Sequence, residues 1–250
     1  MSAMNDNEMT LRPCPRSRGV EAVPGRVLAV VGQDLAGRRS SAGRLARLRA
    51  MGLRNGVRIG LGFAWTRLFS LACTLWLRAA GVRIGRDCRF YGRLVIVGDP
   101  RRVTIGDRCI FHHESCLWTH DLGGGAGEIH LGRGVALGPR VVINSLARIT
   151  VGAGSAFGYG CYIQDNDHGT APRTPTLEQA PVAGPIEIGA DVWCGAYTIA
   201  LKGVRIGDQA VIGAGSVVVK SLPRGVVAVG VPCRPVKRRG AGAANLGDAV

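Results

Sequence analysis

Aliphatic residues recur at every sixth position over most of the chain. From Leu131 the series continues through Leu137 and Ile143. It restarts at Val151, Phe157 and Ile163, and again at Ile188, running on through Cys194, Ala200, Ile206, Ile212 and Val218. Upstream lie Ile105, Phe111, Leu117 and, before them, Ile84, Phe90 and Ile96. These positions make six groups of three hexads. A fixed short period is the signature of a repeat architecture, in which each unit buries its apolar face on the next.

A small residue commonly follows the key position: Gly85, Gly106, Gly132, Gly152, Gly158, Gly189, Gly195, Gly207 and Gly213 are examples. The residue four beyond it is small or aliphatic too, as at Cys88, Leu94, Cys109, Val135, Val141, Ala147, Cys161, Val192, Val204 and Ala210. Side chains alternate faces along a strand, so positions i and i+4 share a side and both are expected to point inward. Extra residues appear after Ile96, Leu117, Ile143 and Ile163, always after a third hexad, so loops should leave from one edge. A three-sided solenoid of parallel strands accounts for the period and for the insertions together.

Composition agrees with a narrow core. Of 250 residues 38 are glycine and only 5% are aromatic, which suits frequent turns and small side chains. The 46% apolar content and mean hydropathy of +0.16 exclude disorder over the whole chain. Eight cysteines contain no CxxC pair, so they read as reduced thiols of a cytoplasmic protein. The first ten residues hold Asp6 and Glu8 and no apolar run, so no secretory signal is expected, and the Arg38–Arg39 pair lacks the setting of a twin-arginine signal. Ile59 to Leu77 is apolar but carries Arg67 near its middle, which argues against a membrane span.

Net charge is +15, and residues 1–60 hold eleven arginines against four acids. The expected organisation is a basic tail over 1–41, a helical segment over 42–80, the solenoid over 81–222 with a long loop at 164–187, and a basic C-terminal segment over 223–250. Phe63, Trp65, Leu68, Phe69, Leu75 and Trp76 follow the basic stretch. Two readings stay open for them: contact with an anionic membrane surface, or burial against the prism or a neighbouring subunit. No stacking platform for nucleic acid is present, and no nucleic-acid partner is expected.

Within the loop, His168 stands between Asp165, Asp167 and Gly169. An imidazole exchanges protons near neutrality, and a nearby carboxylate can orient it. Either aspartate fits that role on sequence alone, and a solvated histidine fits as well. His112, His113, His120 and His130 show no regular spacing for a metal.

The stretch Ile188 to Lys237, which contains Asp191-Val192-Trp193-Cys194-Gly195 and Gly213-Ala214-Gly215-Ser216, resembles the C-terminal half of the maltose/galactoside and polysaccharide O-acetyltransferases. Val82 to Gly92 is similar to the first coil of the polysaccharide-modifying branch. The resemblance covers about residues 82–237 and implies a hexapeptide-repeat acyltransferase, an all-β fold whose parallel β-helix is left-handed with about six triangular coils. It implies His168 as general base, supported by Asp167 or Asp165, and acetyl-CoA as donor. Trp193, Gly195, Ala196 and Ala214 would line the pantetheine groove, with glycines admitting a thin ligand, while Lys220, Arg234 and Lys237 would meet the CoA phosphates. Backbone N–H groups near Gly195 or Ala196 would stabilise the oxyanion. Cys194 reads as a small core residue.

The family's sugar-binding positions fall on Gly138 and Leu146, so the acceptor should differ from that of the galactoside enzymes, although a sugar or glycan hydroxyl remains the expected class. No metal is expected, and a homotrimer with shared sites is. Two alternatives stand beside this one: a zinc lyase of the same fold, and a catalytically silent scaffold.

Overall fold

The computed structural model describes residues 53–122 and 125–240, with side chains from Ala64 onward. The expected tail over 1–41, the first part of the helical segment over 42–52 and the side chain of Phe63 lie outside the described residues. A helix, α1, spans Leu53–Ala79.

From Arg83 the chain visits three sheets in rotation. Sheet I takes Arg83–Ile84, Val103–Ile105, Glu128–Leu131, Arg148–Val151, Ile186–Ile188 and Arg205–Ile206. Sheet II takes Arg89–Phe90, Ile110–Phe111, Ala136–Leu137, Ala156–Phe157, Trp193–Cys194 and Val211–Ile212. Sheet III takes Leu94–Val97, Ser115–Thr119, Val142–Ser145, Tyr162–Gln164, Ile199–Ala200 and Val217–Val218. Neighbours within these runs are parallel, and each key residue pairs with the key residue one turn away, as in Ile84↔Ile105 and Phe157↔Cys194. The sixfold period is therefore one strand plus one corner.

Key positions from Ile105 onward are buried, and so are nearly all the i+4 positions. Two depart. Ile96 sits on the edge strand of sheet III and is half-buried. Ala147 lies in an insertion, and the core position passes to Leu146 and Ile149. Insertions leave only after sheet III strands, as the spacing requires. Two of them form antiparallel hairpins, Asp121–Leu122 with Gly125–Ala126 and Asn166–Asp167 with Val182–Ala183.

The corners explain the remaining hexad positions. At twelve of them the third residue after the key position has φ between +53° and +76°, and seven of those residues are not glycine. The glycine one after the key position serves another purpose. A Cβ on Gly158 would lie 2.7 Å from Ala196 N, and one on Gly195 would lie 2.6 Å from Ala214 N. These glycines let one coil stack on the next; a bound ligand is not what requires them. Gly195→Ala is thus expected to cost about 1–3 kcal/mol by overpacking. Gly215→Ala, with open space around its Cβ and only φ +70° to strain it, should cost about 1–2 kcal/mol. Denaturant midpoints compare the two, and a milder loss at Gly195 would refute the stacking role.

Beyond residue 222 the chain extends sheet II, so the coil does not end where the hexads do. Val226–Val229 adds in parallel to Val211–Ile212, and Arg234–Arg238 turns back antiparallel along it. Arg239 fastens this end through an ion pair to Asp191 at 3.0 Å.

The three outer faces differ. Sheet I presents Arg83, Thr104, His130, Thr150, Glu187 and Arg205 in one column. Sheet III presents Val95, Cys116, Val142, Tyr162, Ile199 and Val217. Sheet II presents Ile110, Ala136, Ala156, Trp193 and Val211 beyond Arg89. One face is polar and two are apolar.

Candidate active site

The loop carrying His168 leaves sheet III after Tyr162–Gln164 and is secured at its base by a buried carboxylate. Asp165 has no exposed surface. It accepts hydrogen bonds from Ser145 Oγ at 2.7 Å, Leu146 N at 2.6 Å and Ala147 N at 3.0 Å. Its backbone carbonyl accepts from Gly184 N at 2.8 Å, which closes the far end of the loop onto the near end. Asp167 forms an ion pair with Lys202 on the next coil. Farther out, Gln179 donates to Ala171 O and Thr174 O and accepts from Ala171 N, so the tip is folded on itself.

His168 is exposed at the end of the short strand Asn166–Asp167 and makes no hydrogen bond within the described residues. This corrects the expectation for both aspartates. Asp165 and Asp167 position the loop, and neither touches the imidazole. A polar cluster at the loop base went unread in the sequence: Asn144 Nδ2 donates to Tyr162 Oη at 3.2 Å, and Gln164 Nε2 donates to Asn166 O at 2.7 Å. Asn144 and Gln164 pair across sheet III beside the point where the loop departs. A polar residue one step after the key position there, where other coils turn, was the available signal.

Trp193 stands on the outer face of sheet II between Ala156 and Val211, 58% exposed. Its small neighbour on one side leaves an open apolar shelf. Gly195 N donates to Ile212 O at 2.8 Å, so that N–H is consumed by the coil and is not available to an oxyanion. Ala196 N has no acceptor among the described residues, and Ala214, also at a corner, is exposed. Cys194 is fully buried, and burial, with Cys161 and Cys233 nearby, pushes its thiol well up, which removes it as a nucleophile.

Lys220 is exposed just past the strand Val217–Val218. Cys233 N donates to Val217 O at 2.8 Å, so the C-terminal turn brings Arg234 to the opposite end of that strand. Lys237 lies farther along, opposite Val227. Gly138 and Leu146 offer nothing to a ligand: a Cβ on Gly138 would meet Phe157 O at 2.7 Å, and Leu146 is buried.

The corner between sheets II and III carries an outer ladder that sequence reading also missed. Tyr91 stacks on His112, Arg140 pairs with Glu114 at 2.5 Å and donates to Tyr159 Oη at 2.8 Å, and Tyr159 meets Tyr197 edge-on. Partial burial, with His113 adjacent, holds the His112 imidazole below its ordinary range. On sheet I, His130 Nε2 lies 3.1 Å from Glu128, which also pairs with Arg148. No group of three metal-ligating side chains occurs among the described residues.

No family profile matches the chain. Over 53 residues it is 55% identical to the galactoside O-acetyltransferase of Escherichia coli, covering 21% of this chain and 26% of that one. Over 117 residues it is 39% identical to the galactoside O-acetyltransferase of Lactococcus lactis, covering 46% and 55%. Both matched stretches are thus similar to proteins named acetyltransferase. The chain spans about half the length of these relatives or less. Among solved structures it resembles AntD, an N-acyltransferase from Bacillus cereus in complex with dTDP-4-amino-4,6-dideoxyglucose and coenzyme A. The TM-score is 0.57 at 20% identity, over 67% of this chain and 89% of that one, and that likeness concerns the fold.

Proposed function

We propose that the protein transfers an acetyl group from acetyl-CoA to a hydroxyl of a sugar, glycan or glycoconjugate. One observation carries the reading: the 55% identity over 53 residues with an enzyme named galactoside O-acetyltransferase. The coil is taken as left-handed, as in that family. Acetyl-CoA lies along the shelf at Trp193, with the corners at Ala196 and Ala214 beside the pantetheine, and Lys220, Arg234 and Lys237 toward the phosphates.

His168 takes the proton of the acceptor hydroxyl as that oxygen attacks the thioester carbonyl. The unpaired Ala196 N–H serves the developing oxyanion in place of Gly195 N–H. The carbon–sulfur bond then breaks, and the thiolate leaves with the proton held by the imidazole. No acyl-enzyme forms. Since His168 has no side-chain partner among the described residues, we assign the orienting group to the acceptor or to a neighbouring subunit.

A homotrimer suits the outer faces. Closed threefold assembly brings two different faces of each subunit together, and sheets II and III are the two apolar ones. That would place the Trp193 shelf and the sheet III loops at the contact. Light scattering on the purified protein tests the mass.

Thiol release from acetyl-CoA, measured with a panel of galactosides and oligosaccharides, tests the activity. Failure to bind CoA by calorimetry would favour the silent scaffold, and stoichiometric bound zinc with turnover lacking CoA would favour the lyase. Trp193→Ala should weaken CoA binding by about 2- to 13-fold, the range for loss of one aromatic contact. Alanine at Lys220, Arg234 and Lys237 together should weaken it too, and dephospho-CoA should lose less than CoA. Unchanged affinity in both variants would move the donor site elsewhere.

A further inference from the structure

Helix α1 has an apolar face that stays exposed among the described residues. Phe69, Cys73 and Leu77 pack on the first coil, and Ser70 Oγ accepts from Phe90 N at 2.9 Å. At 100° per residue, Trp65, Leu68, Leu71, Leu75 and Trp76 fall on a separate arc of about 140°. All five are exposed, Trp65 at 72% and Trp76 at 58%. A narrow polar strip of Arg67, Thr74 and Arg78 closes the wheel. The two tryptophans stand at opposite ends of the stripe, about 16 Å apart along the axis. Beside it runs an apolar groove of about 390 Å³ lined by Phe69, Trp76, Phe90 and Leu94, with Arg93 in its wall.

Charge decides what covers this face. Residues 1–108 hold 20 arginines and 7 acids, net +13, while the other 142 residues carry only +2. Of that charge, +8 falls on residues 53–108, which form α1 and the first coil, and +5 on residues 1–52. A second copy docking through the same face would set two such ends against each other, which is repulsive. Nucleic acid would meet the charge but leave the leucines and tryptophans wet. A surface that is both anionic and able to receive shallow apolar side chains meets both demands. No helix among the described residues is long and apolar enough to cross a membrane, so α1 would lie on such a surface.

We propose that the Trp65–Trp76 face of α1 docks on an anionic lipid surface, with Arg67 and Arg93 on the headgroups. The inference stands apart from the acetyl-transfer reading and survives its failure.

Sedimentation of the full chain with vesicles tests it, using phosphatidylcholine alone and phosphatidylcholine mixed with phosphatidylglycerol. Binding is expected to the mixed vesicles at low salt, to fall at high salt and to be absent from the neutral ones. Tryptophan emission should shift to the blue on binding. Trp65→Ser with Trp76→Ser, and separately Arg67→Glu with Arg93→Glu, should each weaken partitioning by roughly tenfold or more. All four positions are exposed, and an unchanged melting temperature verifies that the variants fold. Three results would overturn the proposal: no pelleting at low salt, loss of binding in the charge variant alone, or a serine variant that changes oligomer mass and leaves lipid binding intact.

Discussion

Replacing His168 by alanine is expected to cut acetyl transfer by roughly 10²–10⁴-fold while CoA affinity stays near that of the parent. The imidazole is exposed and makes no hydrogen bond among the described residues, so its removal leaves no buried polar group without a partner. The loop keeps its anchors, because Asp165 and Asp167 hold it through Leu146, Ala147, Ser145 and Lys202. Folding and donor binding should therefore survive, and the loss should fall on turnover. Asp167→Asn gives the contrast. It weakens the ion pair to Lys202, which is partly exposed, so only a modest loss through loop placement is expected. Steady-state kinetics on both variants, with CoA binding by calorimetry, separate the roles. A His168→Ala enzyme with more than half the parent's turnover would remove the histidine from the mechanism.

The repeat was legible because it follows from geometry alone. A six-residue strand and corner forces an inward residue at i and i+4, so Phe157 and Cys161, or Ile206 and Ala210, declare themselves by spacing. The insertions were legible for the same reason, since only the exit from sheet III tolerates extra length. What sits outside the prism obeys no such period. Whether Asp165 faces His168 or the backbone of Leu146 depends on how the loop base sits on the preceding coil, 19 residues back, and two sequence neighbours gave no ground for choosing. The glycines after the key positions were readable as a class but not as to cause: the backbone of the next coil, 2.6 Å from the Cβ that Gly195 lacks, requires them. The C-terminal strands escaped notice because Val226–Val229 and Arg234–Arg238 complete sheet II without a hexad between them. Helix α1 was legible as apolar, but its division into a packed face and an exposed one needed the first coil in place.

Asp165→Ala is expected to be the most damaging single change to the fold at the site, costing roughly 2–5 kcal/mol. The carboxylate is fully buried and accepts from Ser145 Oγ, Leu146 N, Ala147 N and, at 3.3 Å, Asn166 Nδ2. Removing it leaves the N–H groups of Leu146 and Ala147 without acceptors, at about 1–3 kcal/mol each. Asp165→Asn should not rescue the loss. Leu146 N approaches one carboxylate oxygen, while Ala147 N and Ser145 Oγ approach the other. With its oxygen toward Leu146 N, the amide turns its NH₂ toward Ala147 N, which cannot accept, and only Ser145 Oγ, which can donate instead to Glu128 O, is able to receive it. Both variants should lower the denaturant midpoint by similar amounts, and turnover should fall with the loosened loop. Had Asp165 been the partner of His168, the pattern would be reversed. Turnover would collapse at nearly unchanged stability, and that result would return Asp165 to the imidazole.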